Sequence, residues 1–279
     1  HCGGVDQIYP IKGGRPGLYK HGDAECRKQF SVTVGTLFER SHVPLNKWLM
    51  AVHLMCSSKK GISAHQLHRT LGVTYKTAWF MTHRIREAMR DNSGSILGGG
   101  GSTVEVDETF IGRDPNKKKG RGYAHKEKVL SLVERNGRAR SFHVDAVNAK
   151  TLIPIIREQL DPDTHVMTDE ASQYSSTNPW RTYSNLAPHF ASHEFVTHGT
   201  REYVRGNVHT NSIEGFFSIF KRGMKGVYQH CNKRHLQRYL AEFDFRYNNR
   251  TALGVSDAER TRTALFGIGG KRLLYKGSN

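Results

Sequence analysis

Cysteine is scarce in this chain: Cys2, Cys26, Cys56 and Cys231 are the four among 279 residues. So thin and scattered a set is no disulfide framework and points to a reducing compartment. Long apolar runs are missing as well. The longest, Trp48–Val52, is far short of the ~18 residues of a membrane helix, which excludes a helical span and a membrane partner. No secretory signal is visible, and the chain opens on His1 rather than Met, which leaves room for a segment before it. Acids are the other shortage: 25 Asp and Glu face 42 Lys and Arg, a net charge of +17. That imbalance favours a polyanionic partner, nucleic acid above all, over an acidic small molecule.

What is present suffices for a packed core. Hydrophobic residues make up 37%, and 28 glycines bring the apolar share to the roughly 45–50% of globular domains. The charge is unevenly placed. Residues 1–92 hold 14 bases and 6 acids, residues 93–210 hold 15 and 14, and residues 211–279 hold 13 and 5. Two basic flanks thus enclose a nearly neutral centre that carries most of the acids.

Residues 1–40 are rich in Gly, Lys and Arg and carry Cys2 and Cys26, one cysteine for each knuckle of a zinc ribbon. Tetrahedral zinc takes four ligands, typically from paired C-x-x-C knuckles. Position 23, where the partner of Cys26 belongs, is Asp23, and His21 is an irregularly spaced substitute. The segment reads as a degenerate or truncated ribbon with Cys2, His21 and Cys26 as candidate ligands; unrelated free thiols are the other reading.

Residues 41–92 read as helical. Trp48, Leu49, Val52 and Met55 recur at helical spacing. Ser63 with Gln66 forms a capping box, Gly72 ends that helix, and Thr74 caps the next, whose inner stripe is Ala78, Met81, Ile85 and Met89. Two short helices joined through a glycine turn are the helix-turn-helix pattern. Tyr75, Lys76 and Thr77 then face DNA, with Arg84 and Arg86 as phosphate contacts. Residues 93–102 read as a flexible linker.

Beyond it the texture becomes α/β. Thr103–Ile111 alternates as a strand, Lys128–Glu134 follows, and Ser141–Val147 pairs after the Asn136-Gly137 turn. A helix over Ala149–Leu160, strands at His165–Asp169 and Glu194–Thr197, and helices over 210–224 and 232–248 complete residues 103–250. Three strands, a helix, a strand and more α/β is the order of an RNase H-like domain. Residues 251–279 read as a basic tail.

Asp107 sits inside a core-like strand, where an acid is costly unless it is paired or binds a cation. Asp169 ends a short apolar strand, the place where ligands of open α/β sheets collect. Glu214 lies on the 210–224 helix with Lys221 two turns along on the same face. Three such carboxylates can hold two divalent cations about 3.5–4 Å apart for phosphodiester chemistry. Glu108 and Glu170 directly follow the first two acids and point to the opposite faces. The loop from Arg113 to Lys128, with Lys117, Lys118 and Lys119, is a candidate DNA-backbone contact, as is Arg222.

Residues 210–228 (TNSIEGFFSIFKRGMKGVY) with 233–250 (KRHLQRYLAEFDFRYNNR) resemble bacterial insertion-sequence transposases of the DDE type. Val106-Asp107-Glu108-Thr109 and Thr168-Asp169-Glu170 are similar to that family's first two acidic motifs, and Gln29–Thr36 to the stretch after its ribbon. The resemblance implies an RNase H-like catalytic domain behind a zinc ribbon and a helix-turn-helix. It implies two Mg2+ or Mn2+ ions, and cleavage at element ends followed by strand transfer into target DNA. By position, Asp107, Asp169 and Glu214 are its acids and Lys221 its following base, with Asn211 the alternative third ligand. It further implies a homo-oligomer on synapsed double-stranded DNA and a cytoplasmic, nucleoid-associated location. A DNA-binding regulator or decayed transposase, and a nuclease of the same fold, are the competing functions.

Overall fold

The structure is a computed structural model that describes residues 2, 4–14, 17–114, 116–118, 120, 122–174 and 185–273. Lys119 therefore lies outside the described residues. The chain opens with a three-stranded antiparallel sheet of short strands, β1 (Ile8–Pro10), β2 (Tyr19–His21) and β3 (Gln29–Phe30). Three helices follow: α1 (Leu45–Ser57), α2 (Ala64–Leu71) and α3 (Tyr75–Ala88). The expected caps form. The Ser63 hydroxyl accepts from Gln66 N at 3.1 Å and Thr74 Oγ1 accepts from Thr77 N at 3.2 Å. Gly72 ends α2 in the left-handed region, at φ 59°, with its N–H on the His68 carbonyl.

The α/β part is a five-stranded mixed sheet in the order β6-β5-β4-β7-β8, built from β4 (Thr103–Ile111), β5 (Glu127–Glu134), β6 (Ala139–Val144), β7 (His165–Asp169) and β8 (Ser192–Val196). β4, β5 and β6 pair antiparallel, whereas β7 joins β4, and β8 joins β7, in parallel. Asn136 takes φ 58° in the β5–β6 turn, so β6 starts two residues earlier than the hydrophobic pattern alone predicts. Helix α4 (Ala149–Gln159) covers one face, packing Leu152, Ile153 and Ile156 on Val104, Val106, Leu130 and Leu132. The hairpin β9 (Val204–Arg205) and β10 (Val208–His209) then leads into α5 (Asn211–Gly223), which runs on through a π-helical turn, Met224–Tyr228. Together with α6 (Lys233–Asn248), α5 covers the other face with Ile213, Phe217, Phe220, Leu240 and Phe243.

Three expectations give way here. Residues 93–102 are not a free linker: Leu97 is buried, donates to Gln159 O and accepts from Asp161 N, both at 2.9 Å. The glycines there serve a turn that L side chains cannot follow; a Cβ on Gly98, at φ 78°, would meet Thr164 Oγ1 at 2.1 Å. Nor do residues 251–273 trail as a tail. Ser256 opens α7 (Asp257–Phe266) with a complete capping box, and Ala264 joins the helical core. Arg260 donates to Cys56 O (2.9 Å), and Lys271 Nζ reaches Glu87 O (2.9 Å) and Arg90 O (2.7 Å), closing the C-terminal end of α3.

Third, Arg84 and Arg86 are buried rather than presented to DNA. Arg84 donates to the carbonyls of Glu39 (3.2 Å) and Leu273 (3.3 Å). Arg86 pairs with the fully buried Glu242 of α6 at 2.7 Å and lies over the Tyr239 ring, 3.9 Å from its centroid. Arg246 and Tyr228 complete the shell of the Glu242 carboxylate. The pair thus fastens α3 to α6. Removing one partner of a buried ion pair leaves the other charge desolvated and costs about 3–5 kcal/mol. Arg86→Ala is accordingly expected to lower the unfolding free energy by that amount in urea titrations. A surface phosphate contact would instead leave stability unchanged and weaken DNA binding alone.

Candidate active site

The site is built on a buried acid that takes no part in it directly. Glu105 of β4 is fully buried, and one carboxylate oxygen accepts from Arg135 Nε at 2.8 Å while the other accepts from Ile213 N, in the first turn of α5, at 2.9 Å. Arg135 also donates to the carbonyls of Asn207 (2.7 Å) and His209 (2.9 Å) just ahead of that helix. A carboxylate at a helix N-terminus satisfies an orphan N–H and meets the positive end of the helix dipole. The start of α5 is therefore fixed to β4 at a defined height.

Two residues along β4, on the same face as Glu105, stands Asp107. The parallel register pairs Glu105 with Met167, so two residues further on in each strand Asp107 and Asp169 stand at one level on neighbouring strands. Neither forms an ion pair among the described residues. Burial lifts the Asp107 carboxyl well above the usual carboxylate range, and the charges of Glu108 and Asp169 add to it, with Lys221 pulling the other way. Burial raises Asp169 too, and Glu170 contributes. Two partly buried acids with no ion-paired base are the donor chemistry of a hard divalent cation.

Glu108 lies on the opposite face, as the alternation requires, bonded by the Tyr174 hydroxyl and by Gln173 at 3.3 Å. Burial pushes it up to about 7 despite those donors. Glu170 lies beyond β7 and accepts the backbone N–H groups of His198 (2.8 Å) and Gly199 (3.0 Å). On α5, Glu214 is half exposed, accepts from the Thr210 hydroxyl at 3.2 Å and stands 4.0 Å from His198 Nε2. Asn211, one turn earlier, is exposed. Among the described residues the ligand atoms of Asp107, Asp169 and Glu214 do not all lie within 4.8 Å of one another.

The sequence profile of the ISXO2-like transposase domain matches residues 96–248, more than half of the chain and all of the elements just described from β4 to α6. The chain belongs to the ISXO2-like transposases. It is 28% identical over 236 residues to an uncharacterised protein in transposable element ISH50 of Halobacterium salinarum, a match covering 80% of this chain and 76% of that one. It is 32% identical over 106 residues to an uncharacterised transposase-like protein of Haemophilus influenzae, covering 38% of this chain and 77% of that one.

Elsewhere in this ISXO2-like transposase, the cysteine and histidine donors at the N-terminus do converge. One ligand atom each from Cys2, His21 and Cys26 lie within 4.8 Å of one another, and Cys2 Sγ is 3.5 Å from His21 Nδ1. The α2–α3 turn exposes Tyr75 and Lys76, with Thr77 half-buried, and His65 stacks on the Tyr75 ring at 4.3 Å. Lys117 and Lys118 are exposed, Lys117 near Asp114 at 3.7 Å. Arg222 folds back onto Ser218 (2.8 Å). Sequence reasoning missed Glu105, Arg135 and His198. An acid, a base and a histidine carry no periodic signal, and only the folded register shows what each one faces. Among the described residues no helix is long and apolar enough to cross a membrane.

Glu108 gives the site a measurable pH signature. The folded chain keeps its proton up to about pH 7, whereas an ordinary glutamate releases it near 4.5. The native state therefore binds the extra proton across that window, and stability falls as pH rises through it. Glu108→Gln should remove this contribution. Urea midpoints recorded in chelator from pH 4.5 to pH 8 should decline less in the variant than in the wild type, and parallel declines would refute the assignment.

Proposed function

We propose that this chain is a DDE-type DNA transposase with an RNase H-like catalytic domain, which cleaves DNA at element ends and transfers the freed strand into target DNA. The observation that carries this reading is the level placement of Asp107 and Asp169 on adjacent parallel strands, unneutralised and facing Lys221, in a chain of a transposase family. The mixed sheet order, with three antiparallel strands followed by two parallel ones, supports the fold. Asp107 and Asp169 are the cation-holding pair. Glu214 is the third acid, since a carboxylate offsets a divalent cation better than the amide of Asn211. Mg2+ or Mn2+ at this site supplies activation of an attacking oxygen and stabilisation of the departing 3′ oxygen. Lys221, which lowers the Asp107 carboxyl from the α5 face, holds the phosphate beside the acids.

DNA reaches this site through the rest of the chain. The α2–α3 pair serves as a helix-turn-helix, with Tyr75, Lys76 and Thr77 entering the major groove. Lys117, Lys118 and Arg222 are candidate phosphate contacts, and synapsis of two ends calls for a homo-oligomer. At the N-terminus Cys2, His21 and Cys26 supply sulfur and nitrogen donors suited to zinc. Zinc bound there should be measurable by equilibrium dialysis as one ion per chain that Cys26→Ser releases; retention by that variant would remove the ribbon from the reading.

The catalytic assignment is tested with Asp169→Asn, an isosteric change that leaves the fold intact. The variant should bind element-end DNA like the wild type yet show neither cleavage nor strand transfer in Mg2+, a loss of at least about 10³-fold. A variant that cuts and joins normally would sink the acid-site reading. A wild type that binds but never cuts would identify a DNA-binding regulator, and one that cuts without joining a nuclease.

A further inference from the structure

His198 follows β8 by two residues, at the end of the sheet where the register sets Asp169 opposite Val196. Its surroundings hold it firmly. Both Glu170 carboxylate oxygens receive the N–H groups of this turn, at 2.8 and 3.0 Å, and the Tyr203 ring lies against the imidazole with centroids 5.2 Å apart. Yet neither ring nitrogen has a hydrogen-bond partner among the described residues. Nδ1 is buried and unpaired, and Nε2 faces the Glu214 carboxylate oxygen at 4.0 Å. A nitrogen–oxygen hydrogen bond needs about 2.7–3.2 Å. A gap of 4.0 Å is too long for one, but it lies within the span of two donors that share one cation through bonds of about 2.0–2.2 Å.

The buried, unpaired atom is Nδ1, which leaves Nε2 on the accessible edge of the ring, facing Glu214 beside the Asp169 carboxyl whose pKa the imidazole lowers. Here the imidazole is pinned in place by an acid whose only visible task is to position this turn, and it is aimed at the third acid of the site. We propose that His198 is a nitrogen ligand, through Nε2, for the divalent cation bound beside Asp169 and Glu214. Glu170, adjacent to Asp169, is then a positioning residue: it holds the histidine turn at the end of β7. A mixed nitrogen and oxygen donor set has a consequence for metal choice. Mg2+ prefers oxygen alone, whereas an imidazole strengthens binding of first-row transition ions, so the site should take Mn2+ more tightly than Mg2+.

This inference rests on the acid-site reading above, and one experiment separates the two. Mn2+ is titrated into the full chain carrying His21→Ala, which removes the imidazole of the N-terminal cluster. Bound ion is counted from the loss of the aqueous Mn2+ resonance, and its ligands are read from nitrogen-14 modulation of the electron spin echo. The chain with His198 intact should show a bound Mn2+ with imidazole nitrogen coupling. His198→Ala and His198→Gln should each lose the coupling and weaken Mn2+ binding by about tenfold or more, since even an outer partner of a metal ligand contributes about 10- to 100-fold. Mg2+ competition should then displace Mn2+ more readily. Bound Mn2+ without nitrogen coupling, or coupling that survives in folded His198 variants, would overturn the proposal while leaving the acid site standing. If Asp169→Asn binds Mn2+ unchanged, or the chain binds none, the acid-site reading itself fails and the histidine assignment falls with it. Circular dichroism of each variant confirms that the fold persists.

Discussion

A carboxylate buried in the middle of a sheet fixes the geometry of everything that follows it. Glu105 has no access to water, so its charge must be met by protein groups, and three kinds meet it: the Arg135 guanidinium, the Ile213 amide and the nearby His209 imidazole at 3.3 Å. An isolated ionised carboxylate in that setting would be prohibitively unfavourable. The requirement is therefore strict, and it ties together β4, the end of β5 and the entry to α5. Any drift of α5 along the sheet would strip the carboxylate of its helix N–H. Glu214 and Lys221 ride on that helix, and Asp107 stands two residues from the anchor on the same strand and face. One structural acid thus sets the spacing of the acids proposed for catalysis.

The sequence announced the parts whose cause is local. Ser63, Thr74 and Asn148 cap helices because a short polar side chain reaches an amide two or three residues on, and that logic needs no knowledge of the fold. Alternation around Asp107 and the apolar run ending at Asp169 likewise mark strands whichever partners they find. The level match of the two aspartates needed one further fact, the parallel register, which only the assembled sheet supplies.

What stayed hidden depends on distant partners. Arg84 and Arg86 carry the spacing and charge of a DNA-facing helix, yet α6 delivers Glu242 to one, and the 267–273 segment covers the other. The bases of the C-terminal segment look like a solvated tail until Arg260 and Lys271 are seen holding carbonyls of α1 and α3. The four glycines at 98–101 have the composition of a flexible joint, but close approach to Thr164 and positive φ give them a fixed path. In each case the residue type is plain in the sequence and its distant partner is not.

The positive charge divides in the same way between interior and surface. Part of the +17 surplus is interior structure, since Arg84, Arg86, Arg246 and Arg260 are buried. These bases serve Glu242 and backbone carbonyls, so they are not surface contacts for nucleic acid. Against that background the bareness of Asp107 and Asp169 stands out. In a chain with 42 bases, acids that lack a paired base do so because the fold holds the bases away. Lys221 lies near enough to be felt by Asp107, without an ion pair forming between them. Burial raises both carboxyls, with Glu108 and Asp169 adding to it at Asp107 and Glu170 at Asp169, a strain that a close lysine or arginine would relieve and that natural selection for stability alone would remove. Under the proposed function that compensation arrives from solution, as a cation and then as the backbone it positions.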